Sequence, residues 1–561
     1  MSTEKLKHPE GAPKAASQAQ RSTLWAILLL LTVMAAVKLL VLLMPPEAIS
    51  PGGLPDNEEW RRGMSASEWL RGPLLPYTDY QQGHFQGGTL LTILLAALSF
   101  LSFGESPFTM RLANLFYDGA TVAFLFLFVD RAISRRAAWV AGLFAAIPSP
   151  GYLMVGSIVW ASHVEANAFA MALLWAWQRI VFRDSSRPLT PSPRLAEFSL
   201  GMLAGVAIWF HYGLLIWLAV MLVVELVRNP KFLVSRGLVL RLMGVVVGLL
   251  PWWHYNLNND WRGLGVYGKS AGAHFQASAT NIQETFERLV THFLPHSTYL
   301  PEWGGAGRVL EALFCIAAAA TWAMLLIREL RVWRRNGIPS PLLAVALYPP
   351  LWVLLYTFGT FHGQSRWVSG YRYMLPLHPV AWIAVGVVFS RRRSSVELAA
   401  VGAALAVFLA GTLCYLEPKA LSGNLNGPAG IPGSVARLIF MRHSDHPDVV
   451  MAAIERSIKE RSPMETELLV YTLGNSYLFK SNDTSVPKRA RASYEPELAI
   501  QRENYAKSMA ILERRVPAPY KPYFTRLPDT DQRAFSWARR DEFWQQWKRL
   551  GFERPPGGYR Y

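Results

Sequence analysis

Long apolar stretches broken by short, base-rich polar ones set the pattern of this chain. Runs of membrane-crossing length, roughly 17–25 residues, recur from Thr23 to Tyr415. Thr23–Met44 is the first, and Lys5, Lys7, Lys14 and Arg21 before it orient it from the inside outward. The next apolar run, 89–103, is short for a crossing. Phe108–Val129 is full length and ends at the basic segment DRAISRR. A crossing by 89–103 would put that basic end outside, so the pattern predicts an interfacial or re-entrant helix within a first outer loop, 45–107. Ala137–Val155 goes out and Ala166–Val181 returns. Phe198–Val227 is broken near His211-Tyr212-Gly213, which predicts two short spans with an outer tip. Gly237–Trp253, Val309–Ile327, Pro341–Phe361, Met374–Phe389 and Val396–Tyr415 bring the total to about eleven spans.

The flanks differ. Residues 1–22 are polar and read as a cytoplasmic tail. Residues 417–561 contain no apolar run of spanning length, but helical periodicity recurs in Pro447–Glu460, Glu465–Phe479, Glu497–Arg514 and Gln532–Leu550. The expected fold is therefore an all-α polytopic membrane protein, with a transmembrane domain over 23–416 and an extracytoplasmic helical domain over 417–561.

Composition agrees. The chain is 52% hydrophobic and only 17% charged, which excludes an ordinary soluble protein. A net charge of +17 would suit nucleic-acid binding if it formed a patch. Instead the bases cluster between apolar runs, at Arg131/Arg135/Arg136, Arg328/Arg331/Arg334/Arg335 and Arg391/Arg392/Arg393, which marks cytoplasmic loops and no nucleic-acid partner. Cys315 and Cys414 both lie in apolar segments and offer neither a disulfide framework nor a cysteine metal site.

The groups that carry chemistry fall on the outer side. The stretch Pro55 to Gly88, PDNEEWRRGMSASEWLRGPLLPYTDYQQGHFQGG, holds Asp56, Glu58, Glu59, Glu68, Asp79 and His84. His163 and Glu165 lie in the second outer loop, His254 in a later one, and Tyr371 and Arg372 before the penultimate span. A transporter would place ionisable groups near mid-membrane, so this asymmetry favours a one-sided active site. Group transfer from a lipid-linked donor needs a carboxylate to take the acceptor's proton. It also needs a cation for the departing phosphate, supplied by an arginine or by a divalent metal held by histidine and carboxylate. The first-loop acids, the His163-x-Glu165 pair and Arg372 match those needs in kind. Lys38, in the outer half of the first span, either snorkels to the surface or meets a lipid phosphate.

Four segments carry a family resemblance: DNEEW…SASEWLRG, DYQQGHFQGGTLLTILLAALSFLSFGES…RLAN, WASHVEANAF and SGYRYMLPLHP. Over roughly residues 24–416 the chain resembles the GT-C type polytopic sugar transferases, above all the dolichyl-phosphate-mannose–protein mannosyltransferase-like family and its bacterial aminoarabinose-transferase relatives. The resemblance implies an inverting single displacement from a polyprenyl-phosphate sugar, and the expected topology puts it on the outer face of a bacterial inner membrane. The acceptor would be a protein, lipid or glycan and the general base a first-loop acid. It also implies an interfacial helix at 89–103. Counting from Trp60 points to Asp56 as the base, and reading Glu59-Trp60 as the motif points to Glu59. The chain departs from the family where Asn57 follows Asp56, where Phe85-Gln86 replaces a proline pair, and where the second loop has His-x-Glu in place of Asp. Two other classes remain open from the residues: a flippase for lipid-linked glycans, which needs no outer acid, and a membrane-anchored envelope scaffold acting through 417–561.

Overall fold

The computed structural model describes residues 12–42, 59, 62–63, 65–66, 69–70, 87–104, 107–183, 192–258, 261–264, 283, 305–358, 368–390 and 395–413. Asp56, His84, the side chain of Tyr371 and the whole of 417–561 lie outside the described residues. Among those described there is helix and no strand. In chain order the helices are α1 (Ala12–Leu42), α2 (Gly88–Phe103), α3 (Pro107–Ala132), α4 (Arg135–Ala146), α5 (Pro150–Val155), α6 (Ala166–Val181) and α7 (Pro193–Phe210). They continue with α8 (Leu215–Arg228), α9 (Arg236–Gly248), α10 (Leu250–Asn258), α11 (Gly305–Asn336), α12 (Leu342–Phe358), α13 (His378–Val388) and α14 (Ser395–Leu413).

Arg21–Leu42, Phe108–Ala132, Gly305–Asn336 and Ser395–Leu413 are long and apolar enough to cross a membrane, and α9 with α10 adds a fifth candidate if their 53° bend lies within one span. The protein is a polytopic membrane protein. The expected count of about eleven is not reached by length and composition among the described residues. The shortfall has local causes. Ala137–Val155, read as one span, is α4 and α5 separated at Ile147–Ser149, because Pro148 and Pro150 deny the backbone donors a continuous helix needs. The penultimate span begins only at His378: the preceding Val368–Leu377 is a 3₁₀ segment containing Pro376. Conversely α11 runs through the basic RELRVWRR to Asn336 and ends only where Gly337 adopts φ 68°, a left-handed stop.

The helix ends that carry the basic clusters meet one another through side-chain bonds. At one end Arg135 donates to Asp130 at 2.8 Å and to Thr23 at 2.6 Å, drawing together the expected inner ends of α1, α3 and α4. Arg241 of α9 pairs with Glu197 of α7 and with Glu225 of α8 at 2.6 Å, again at their basic ends. The break at His211 falls as expected, between α7 and the short 3₁₀ turn Tyr212–Leu214 that leads into α8. Helix α2 has 16 residues, short for a crossing. Thr92, Ile93, Ala96 and Phe100 face the bundle while Leu94, Leu98, Leu101 and Phe103 are exposed.

The tightest helix pair is α7 with α9. Gly201 and Gly205 face Gly244 and Gly248, so both helices carry a Gly-x-x-x-Gly stripe and their backbones touch. A Cβ on Gly205 would stand 2.4 Å from the Val245 carbonyl oxygen, and one on Gly248 2.2 Å from that of Met202. Gly205→Ile is accordingly expected to force the pair apart and cost about 1–3 kcal/mol or more. A lowered Tm in detergent would show it. Gly402→Ala, at a position with nothing nearby, serves as the control that leaves Tm unchanged or raised. An unchanged Tm for Gly205→Ile would refute the seam.

Candidate functional site

The site is built on the short loop between α5 and α6, residues Gly156–Glu165, whose side chains are all buried. Buried peptide groups need partners, and here they come from four separate segments. Lys38 of α1 donates to the Gly156 carbonyl at 2.9 Å. Asn114 of α3 spans the carbonyls of Gly156, Ser157 and Ile158 at 3.2, 3.4 and 3.1 Å. From the first outer loop, Glu59 accepts the Val159 amide at 3.2 Å and Arg62 donates to the Val159 carbonyl at 2.8 Å. The loop ends on Glu165, which accepts the Ala161 amide at 2.6 Å and the His163 amide at 3.2 Å. These bonds hold Ala161 at φ 62°, a left-handed conformation costly for a residue with a Cβ. Gly88, at the start of α2, is confined by the same loop: a Cβ there would lie 2.6 Å from the Ala161 carbonyl.

Glu59 is fully buried, and Arg111 near the start of α3 grips it through two parallel bonds, Nε to Oε1 at 2.7 Å and Nη2 to Oε2 at 2.8 Å. Both carboxylate oxygens are thereby engaged. Lys38, expected at a surface or a lipid phosphate, is instead 2% exposed and sits 2.7 Å from Asp118 of α3. A lone ammonium in an apolar bundle is costly, and the Asp118 carboxylate with the Gly156 carbonyl meets that cost. Lys38 is a strut between α1, α3 and the loop.

The proposed metal pair separates into two roles. The Glu165 carboxylate is occupied by amides of its own loop, while the His163 ring packs edge-on against Tyr373 at 4.9 Å. Among the described residues no group of three or more histidine, cysteine or acidic side chains could hold a metal ion. Burial, then the charge of Arg372, hold the His163 imidazole well below its ordinary pKa, with His211 and Arg62 pressing the same way, so the ring is neutral at pH 7. Burial also takes His211, at the α7–α8 tip, down to about 4. Glu165 is pushed up by burial, against the pull of the backbone donors.

Arg372 completes the cluster. The 3₁₀ segment Val368–Leu377 brings its guanidinium over the Trp160 ring at 4.6 Å and the Tyr373 ring at 5.2 Å. Asn167, in the first turn of α6, fixes that segment by donating to the Leu375 carbonyl at 3.3 Å. His163, Glu165, Glu59 and Arg372 thus meet around one loop. His254 stands apart from them among the described residues: it is exposed on α10, and its ring nitrogen partners Asn258 at 3.4 Å. The sequence reading gave no role in the site to Arg111, Asn114, Asn167 or His211, although it quoted the segments that hold them, and it passed over Asp118. Arg111 and Asp118 carried a visible signal, each being a charge inside an apolar run.

No family model matches the chain, and no curated protein matches it. Solved structures do resemble it. ArnT from Cupriavidus metallidurans bound to undecaprenyl phosphate superposes with a TM-score of 0.46 and 14% identity, over 86% of this chain and 75% of that one. The Archaeoglobus fulgidus oligosaccharyltransferase tethered with an acceptor peptide gives a TM-score of 0.45 and 13% identity, over 77% of this chain and 58% of that one. At TM-scores this low the likeness assigns no residue a role.

Proposed function

We propose that the protein is an integral-membrane glycosyltransferase that moves a hexosyl or pentosyl group from a polyprenyl-phosphate donor to a protein, lipid or glycan of the cell envelope. The reaction is an inverting single displacement on the outer face of a bacterial inner membrane, in a bundle of about eleven spans. The observation that carries this reading is Arg372, a half-buried guanidinium laid over Trp160 and Tyr373 where the 3₁₀ segment meets the buried acid-and-histidine loop. A fixed cation at that junction suits a phosphate whose lipid tail lies among the helices. Asp56 is the general base in this reading, because both Glu59 oxygens are committed to Arg111. His84 and Tyr371 contact donor or acceptor. A divalent metal, if one is used, draws its ligands at least partly from outside the described residues.

The test is transfer by the purified protein in detergent, with a panel of polyprenyl-phosphate sugars and with and without divalent metal. Wild type consumes one donor, and Arg372→Ala lowers kcat/KM by roughly 10²–10³, with Arg372→Lys recovering only part of it. If no donor is consumed under any condition, or Arg372→Ala matches wild type, this mechanism fails and lipid flipping is the next assay.

A further inference from the structure

A cavity opens beside Arg372 whose walls include His163, His211, Trp217, Tyr348, Trp352 and Tyr373. Tyr373 joins the two. Its hydroxyl takes a bond from Arg372 at 3.3 Å, and its ring faces both the cavity and His163. A phosphate at Arg372 would be one bond from the anomeric carbon of its sugar, so that sugar must lie in the space next to Tyr373. We propose that this cavity seats the transferred sugar and selects an uncharged, hydroxyl-rich ring over one bearing an ammonium group. The inference rests on the transferase reading above and adds to it the class of sugar.

The walls fit that ligand. Trp217 stacks on Tyr348 at 3.9 Å and 13°, and Trp352 on Tyr356 at 4.8 Å and 11°, so the aromatic rings Trp217, Tyr348 and Trp352 that line the cavity are held in fixed, flat pairs. Pockets for small ligands combine such rings with a few placed polar groups. Here those groups are the imidazoles of His163 and His211. Held neutral, each presents one donor and one acceptor nitrogen, as a hydroxyl does. An ammonium has only donors and would meet the fixed charge of Arg372. The ring faces that would attract it are partly spent: Arg372 covers Trp160 and Tyr373, and Trp217 and Trp352 each have one face stacked. Two residues from His163, the Glu165 carboxylate is bonded to its own loop amides.

The experiment compares the binding of three short-chain lipids to the full protein in nanodiscs: bare polyprenyl phosphate, the mannosylated lipid, and the lipid carrying a 4-amino pentose. The mannosylated lipid binds about tenfold tighter than the bare one. The amino lipid at about pH 7 binds about tenfold weaker than the mannosylated one, and the gap closes near pH 9.5 as the amine loses its proton. Both histidines are already neutral across that range, so the change reports the ligand. Trp352→Leu, or His211→Leu if the first does not fold, abolishes the gain from mannose and leaves bare-lipid binding intact, while Trp352→Phe restores it. Equal binding of bare and mannosylated lipid, or of mannosylated and amino lipid at pH 7, overturns the sugar seat or its charge selectivity and leaves the transferase reading standing. Failure of all three lipids to bind overturns both.

Discussion

Asp56→Asn is expected to lower sugar transfer by roughly 10²–10⁴ with no change in Tm. The amide keeps the shape of the side chain and loses the ability to take a proton from the acceptor. Glu59→Gln should behave in the opposite sense. Its carboxylate accepts three bonds in the protein interior, from Arg111 Nε and Nη2 and from the Val159 amide. An amide can accept at only one of its two heads, so the guanidinium is left partly unmatched and without a counter-charge. Stability falls first, and transfer falls only as far as the folded fraction does. Measuring Tm and single-turnover transfer on the same preparations separates the two residues. A stable but inactive Glu59→Gln, beside an active Asp56→Asn, would reverse the assignment and make Glu59 the base.

The second large effect is on stability. Arg111→Ala is expected to cost about 3–5 kcal/mol, because it strands the Glu59 carboxylate, fully buried and uncompensated. Arg111→Lys should recover part of this. It restores the charge and not the two-pronged geometry, which only a planar guanidinium supplies. Chemical denaturation in mild detergent measures both variants. Because Glu59 also holds the Val159 amide, Arg111→Ala should make the 156–165 backbone accessible to hydrogen exchange as well. If Arg111→Ala matches wild type in stability and in exchange, the pair is not what fixes the first loop to the bundle.

How much of this could be read from the chain depended on the kind of signal. Periodicity and the spacing of arginine clusters were enough for the membrane class, for the short helix at 89–103, whose observed bounds are Gly88–Phe103, and for the break at His211. The split of α4 from α5 was also written in Pro148 and Pro150, but an apolar run was allowed to outweigh them. Pairings were harder. Lys38 and Asp118 each look anomalous in a separate apolar run, and nothing local says that they answer each other at 2.7 Å. His163-x-Glu165 has the spacing of a ligand pair, yet Glu165 follows a buried loop whose amides at Ala161 and His163 need acceptors, and its carboxylate serves them. Spacing alone could not decide between a metal and the chain's own N–H groups. Arg372 was singled out by its residue type and its expected outer position. Its perch on Trp160 was not, since the two lie on segments far apart in the chain.

The loop's dependence on earlier segments has a consequence for how the protein is made. Lys38 lies 118 residues before its Gly156 acceptor. At ribosomal speeds of ~5–20 residues per second, roughly 6–24 s pass between synthesis of the two. During that interval the first helix is already apolar enough to enter the bilayer while its ammonium lacks the carbonyl that will hold it. Asp118, its ion-pair partner, is made 80 residues after Lys38, so the charge has to stay near water or lipid headgroups until α3 arrives, and it gains its second partner only with the second outer loop. The final seating of α1 is then a late event of biogenesis, because it waits for a loop made 118 residues after Lys38.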